Sequence, residues 1–174
     1  MMGKAFFNAV ANGKVDVLQL FLEILAETRS QYCVVGGLAV NAYAEPVVSL
    51  DLDIVVISEN IDKVCEAAKK KGLKITQYEN SINLTSHKSD LRIQLQTDAR
   101  YQSFISRSTK KEVLGYKMNV AALEDVLQGK IWAYSDEKRR KSKKQKDLAD
   151  IMRLVEAHPN LEERLPAQIR SLLN

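Results

Sequence analysis

The spacing of apolar residues changes several times along the chain, and each change marks an element. Over residues 15–28 the apolar positions Val17, Leu18, Phe21, Leu22 and Leu25 recur at helical spacing. Tyr32-Cys-Val-Val is a short apolar run that reads as a strand, and residues 38–44 read as a short helix ended by Glu45-Pro46. Residues 51–57 form a second strand, Asp-Leu-Asp-Ile-Val-Val-Ile, apolar enough to be central. A helix follows over 61–71, with Gly72 as its stop. Three strands are then predicted at 73–78, 81–85 and 91–97, the first two joined by a turn at Glu79-Asn80. In the last of them Leu91, Ile93 and Leu95 alternate with Arg92, Gln94 and Gln96, the pattern of a half-buried strand. Residues 113–118 read as a further strand or edge. From there the pattern is helical: 120–134 with Leu123, Val126, Leu127, Ile131 and Tyr134 on one side, then 143–157 with Leu148, Ile151, Met152, Leu154 and Val155 inward. His158-Pro159 stops that helix, and 161–173 reads as a last short one.

This order implies an α+β fold. Residues 1–118 form an α/β core, and 119–174 a helical part packed on it. No Pro/Gly-rich linker separates the two, so one compact unit is expected. The length, 174 residues, suits one domain with a real core. Hydrophobic content is 45% and charged content 28%, a globular balance. No apolar run approaches the roughly 18–20 residues of a membrane span. The start, Met1-Met-Gly-Lys-Ala-Phe-Phe, lacks the features of a secretory leader, so a cytoplasmic location is expected. Cys33 and Cys65 are then expected to be free thiols, and His87 and His158 have no partner at zinc-ligand spacing.

Candidate chemistry concentrates in two segments. Asp51 and Asp53 are separated by one residue on a predicted strand, so both project from one face. Two carboxylates held that close need positive charge between them, and Mg²⁺ or Mn²⁺ with oxygen ligands would supply it. Gly36-Gly37 lies at the preceding strand-to-helix turn, where absence of a Cβ lets backbone approach a phosphate. A plain tight turn and two surface acids are the competing reading. The apolar run Ile54-Val55-Val56-Ile57 argues against it, because unpaired buried charge is expensive.

The arrangement Gly36-Gly37, a thirteen-residue spacer, then Asp51-Leu52-Asp53 resembles the signature of the polymerase-β-like nucleotidyltransferase superfamily. Glu124-Asp-Val-Leu-Gln-Gly-Lys130-Ile-Trp-Ala133 and Lys146-Asp147-Leu-Ala-Asp150-Ile are similar to helical motifs of its minimal, abortive-infection toxin branch. The likeness spans roughly residues 30–156. It implies a small mixed sheet flanked by helices. It further implies Asp51 and Asp53 as catalytic metal ligands, and Gly36, Gly37, Ser49, Lys130, Lys146 and Asp150 as nucleotide-binding residues. The implied reaction moves a nucleoside monophosphate from a nucleoside triphosphate to an acceptor, which could be RNA or tRNA, a protein, or a small molecule. On their own residues, Lys130 could equally snorkel to solvent, and Lys146, Asp147 and Asp150 could be ordinary helix pairs.

The sequence departs from the family at one position. The family's third carboxylate falls on the 91–97 strand, and the face-matched residue there is Gln94. A glutamine amide is neutral and cannot act as a general base. Asp90 and Asp98 share its parity but lie at the strand's two ends. An active enzyme, a weakened relative that binds nucleotide or RNA, and a helical interaction protein therefore all remain as readings. Net charge is only +4, yet Lys138–Lys146 places seven cations in nine positions. That run is either a solvated helix face or a patch for phosphates or RNA.

Overall fold

The computed structural model describes residues 3–174, so the first two positions of the start at which no leader was expected, Met1 and Met2, lie outside the described residues. Its elements are helix α1 (Lys4–Val10), α2 (Val17–Glu27), strand β1 (Tyr32–Val35), α3 (Gly36–Val40), β2 (Asp51–Val56), α4 (Ile61–Lys70), β3 (Lys74–Gln77), β4 (Ser81–Ser86) and β5 (Ser89–Gln96). After these come β6 (Thr109–Val113), β7 (Tyr116–Val120), α5 (Leu123–Ser135), α6 (Lys141–Ala157) and α7 (Ala167–Arg170), with 3-10 segments at Ser58–Asn60, Ala99–Arg107 and Pro159–Arg164.

The strands form one seven-stranded mixed sheet in the order β3-β4-β5-β2-β1-β7-β6. The centre is β2, antiparallel to β1 and parallel to β5. Alternation sorts its residues cleanly. Leu52, Ile54 and Val56 are fully buried on one face, with Ile93 and Leu95 of β5 and Leu84 of β4. Helices α2 and α4 lie together on that side of the sheet. Cys33, Val35 and Val55 are buried on the other face, where α3, α5 and α6 pack. Asp51, Asp53, Arg92 and Gln94 stand on that second face, where the apolar cover ends.

The structure differs from the pattern in four places. Helix α1 and the 3-10 segment Ala99–Arg107 were not predicted, because each is short: α1 has seven residues, and Tyr101, Phe104 and Ile105 span little more than one turn. The single strand expected at 113–118 is a hairpin, since Leu114 and Gly115 turn with φ of 51° and 86° between β6 and β7. Thr-Lys-Lys-Glu opens β6 as a polar edge strand, which hides it from a hydrophobicity reading. The helix expected at 161–173 is a 3-10 segment and the four-residue α7, divided at Leu165-Pro166. Both cysteines are free. Among the described residues no helix is long and apolar enough to cross a membrane.

Ile54 lies at the middle of the central strand with no exposure. Ile54→Ala is expected to lose about 2–5 kcal/mol of stability by leaving a cavity. Urea unfolding checks this: the midpoint falls while the slope stays constant.

Candidate active site

The site forms where β1 gives way to α3. Gly36 sits there with φ of 73°, a conformation that favours glycine. A Cβ at Gly36 would also collide with the Asp53 carboxylate. Backbone conformation and close approach thus demand the same residue. Gly37 is less constrained, because its Cβ would meet Asp150 Oδ2 at 3.5 Å, an ordinary contact. Helix α3 has only five residues, so its dipole is a small part of the local field.

The two aspartates sit in different electrostatic settings. Asp51 Oδ1 accepts from Arg92 Nε at 2.6 Å, and Asp51 Oδ2 accepts from Lys143 Nζ at 3.2 Å. Burial pushes the Asp51 carboxyl up, but the Arg92 hydrogen bond and the Lys143 charge outweigh it and hold the group below its usual range. Asp53 is the reverse case. Burial raises its pKa, Lys130 opposes the rise, and the charge of Asp51 adds to it. Among the described residues no hydrogen bond reaches the Asp53 carboxylate, so its charge is the less compensated of the two.

Helices α5 and α6 supply the positive side of the site. Lys130 is 5% exposed and lies between Asp147 Oδ1 at 3.1 Å and Asp150 Oδ2 at 2.7 Å. Burial alone would lower its pKa, yet Asp150 and Asp147 raise it, so the ammonium stays charged. Arg139 meets Asp147 through two nitrogens, at 2.5 and 3.1 Å. Arg153 meets Asp150 Oδ1 at 2.9 Å and bonds the carbonyl of Glu45. Lys146 Nζ donates to Ser49 Oγ at 3.3 Å, and Ser49 Oγ accepts from the Asp51 amide at 3.2 Å. Mid-helix Gly129 makes room for Tyr101, whose ring carbon lies 3.3 Å from where a Cβ would be. Burial pushes the Tyr101 phenol up to about 12, so it remains neutral.

One cleft collects most of these groups. Gly36, Gly37, Ser49, Asp51, Asp53, Lys130 and Lys146 line it, together with Gln94, Gln96, Tyr101, Arg139, Lys143 and Asp147. Asp150 stands behind Lys130 rather than on the cleft wall. Lys130 does not snorkel. Gln94 pairs in register with Asp53 across β2 and β5, with Arg92 opposite Asp51. Neither flanking acid moves toward that place: Asp90 accepts from Asn12 at 2.7 Å, and Asp98 is paired with Arg100 at 2.9 Å.

Sequence reasoning missed Arg92, Arg139, Lys143 and Tyr101 as members of the site. A signal for Lys143 existed. Lys143, Lys146, Asp147 and Asp150 recur at spacings of three and four, the mark of one helix face. The basic run is therefore neither wholly solvated nor a separate patch, since part of it turns inward to the carboxylates.

Comparison with solved structures agrees with this architecture. ANT(2″)-Ia in complex with adenylyl-2″-tobramycin superposes with a TM-score of 0.63 at 15% identity, covering 91% of this chain and 97% of that one. Lincomycin-bound lincosamide antibiotic adenylyltransferase LnuA gives 0.56 at 13% identity, over 82% and 99% of the two chains. An antigenic nucleotidyltransferase-like protein from Paracoccidioides brasiliensis gives 0.51 at 17%, over 99% and 94%. No protein-family model and no curated protein sequence matches the chain. The chain has the nucleotidyltransferase fold.

Two outcomes follow from the electrostatics. Lys130→Met leaves Asp147 and Asp150 short of a buried partner and is expected to cost about 3–5 kcal/mol, read by urea unfolding. Asp53 contributes in the opposite sense. Its folded pKa lies above the ordinary value, so the native state binds the proton more tightly and stability falls as pH rises through the folded pKa. Asp53→Asn is thus expected to melt higher than the parent near neutral pH, without added metal. The gap should close toward acid pH in thermal scans.

Proposed function

We propose that this protein is a nucleotidyltransferase that moves a nucleoside monophosphate from a nucleoside triphosphate to an acceptor. The observation that carries the reading is convergence: a glycine fitted against a carboxylate, two same-face aspartates and four cations from the helical half (Lys130, Arg139, Lys143 and Lys146) line one cleft. Phosphate charge suits Lys143 and Lys146, which reach the cleft from α6 with single, exchangeable contacts. Gly36 keeps the wall beside Asp53 free of side chain.

The donor set fits a divalent ion. Asp51 and Asp53 offer hard oxygen ligands from one face, and the Asp53 charge is undercompensated. Asp51 and Asp53 would hold Mg²⁺ or Mn²⁺, which when bound neutralises phosphate charge during transfer. In the reaction the acceptor hydroxyl oxygen bonds to the α-phosphorus. The bond from that phosphorus to the β-bridging oxygen breaks, and pyrophosphate leaves with the electron pair. Gln94 cannot take the hydroxyl proton, so that proton passes to solvent. Lys143 and Lys146 hold the leaving phosphates, while Tyr101, neutral at working pH, bounds the cleft.

A second reading rests on Gln94 itself: a nucleotide- or RNA-binding relative with weakened turnover. Incubation with each labelled nucleoside triphosphate, Mg²⁺ and total RNA separates the two. Label transfer that disappears in Asp51→Ala is the expected result. Nucleotide-dependent thermal stabilisation without any label transfer, to RNA or to protein, would favour the weakened reading.

A further inference from the structure

Arg92 stands beside the cleft rather than on its wall, bonded to the cleft residue Asp51. It sits on β5 opposite Asp51, one alternation before Gln94, so the strand presents Arg92 and Gln94 on the face that carries Asp51 and Asp53. Its Nε is committed to Asp51 Oδ1 at 2.6 Å. Its side chain is 54% exposed, and among the described residues its two terminal nitrogens have no partner. A guanidinium fixed at one nitrogen presents the other two in a fork that matches phosphate oxygens.

The same edge of the cleft is poor in metal ligands. Two divalent ions a few ångströms apart need carboxylates on both sides of the pair to offset four positive charges. The described residues hold no group of three acidic, histidine or cysteine side chains that could ligate a metal. Beyond Asp51 and Asp53 the register offers a neutral amide at Gln94 and a permanent cation at Arg92. One Asp51 oxygen already faces that cation, while Asp53 is free of hydrogen bonds. Charge on this side of Asp51 is thus supplied by protein.

We propose that Arg92 serves as a fixed cation in place of a second divalent ion, so that the cleft takes its nucleotide with a single metal ion. The inference rests on the nucleotidyltransferase reading. Arg92 holds Asp51 through Nε and offers its terminal nitrogens to the α-phosphate oxygens on the side from which the acceptor enters. Gln94 adds no charge there and lets the guanidinium stand beside the carboxylate pair. Arginine and glutamine are, in this account, a matched substitution for a carboxylate and an ion.

Mn²⁺ titration of the full chain with one equivalent of α,β-methylene-ATP, followed by electron paramagnetic resonance, counts the ions directly. One Mn²⁺ per chain is expected for the parent and for Arg92→Lys. The double variant Arg92→Gln/Gln94→Glu restores an acid and removes the cation, and two are expected. Both positions lie where the apolar cover of that face ends, Arg92 exposed and Gln94 half-buried, and circular dichroism verifies that the variants fold. Two ions in the parent, or one in the double variant, would overturn the role of Arg92 and leave the nucleotidyltransferase reading standing. Failure of the parent to bind the nucleotide with any Mn²⁺ would overturn both.

Discussion

The arrangement of the site depends on the buried ammonium of Lys130. It carries a full charge out of water and survives there because Asp147 and Asp150 flank it. A buried ion group of this kind is a weak source of net stability, since desolvation consumes most of the Coulomb gain. Its effect is geometric. Lys130 belongs to α5, and both acids belong to α6, so satisfying the ammonium fixes how α6 is rotated against α5. That rotation in turn aims Lys143 and Lys146 at Asp51 and Ser49. Turning α6 by one residue, about 100°, would expose both acids' partner and withdraw both lysines from the cleft.

The sheet side imposes a second constraint, of distance rather than charge. Asp53 pairs with Val35 across the central strands, which brings its carboxylate under the first residue of α3. Only a residue without a Cβ clears it, and the positive φ at Gly36 excludes most side chains independently. Asp53 thus lies against a backbone wall, short of donors. The neighbouring Asp51 is held by two cations. The two adjacent carboxylates are thus unequally compensated, Asp51 by protein cations and Asp53 scarcely at all.

How much of this was legible follows from what each feature requires. The Gly36-Gly37 turn and the Asp51, Asp53 pair could be read from sequence because strand alternation and glycine chemistry are local rules. Register placed Gln94 beside Asp53, and counting along an alternating strand was enough to foresee it. Arg92 escaped notice for a converse reason: an arginine on a solvated strand face is ordinary until the partner strand shows what lies opposite. Arg139 lies outside helix α6, so no period marks it. Tyr101 comes from a short 3-10 segment whose apolar positions Tyr101, Phe104 and Ile105 span little more than one turn, too brief to mark an element. Asp150, expected among the nucleotide ligands, is turned toward Lys130 and Arg153, because the buried ammonium needs carboxylate partners and Asp150 lies one helical turn from Asp147.

Arg92 and Gln94 are best considered together rather than as one loss and one coincidence. With an effective dielectric near 20, unit charges about 4 Å apart interact by about 4 kcal/mol. An extra divalent ion beside the guanidinium would meet roughly twice that in repulsion, without a third carboxylate to offset it. A glutamate at position 94 would instead draw the guanidinium away from Asp51, since a new carboxylate two residues along the strand competes for it. The neutral amide avoids that competition and leaves Arg92 bonded to Asp51. On the proposed reading, the glutamine that leaves this face without a base is also the residue that leaves the arginine uncontested.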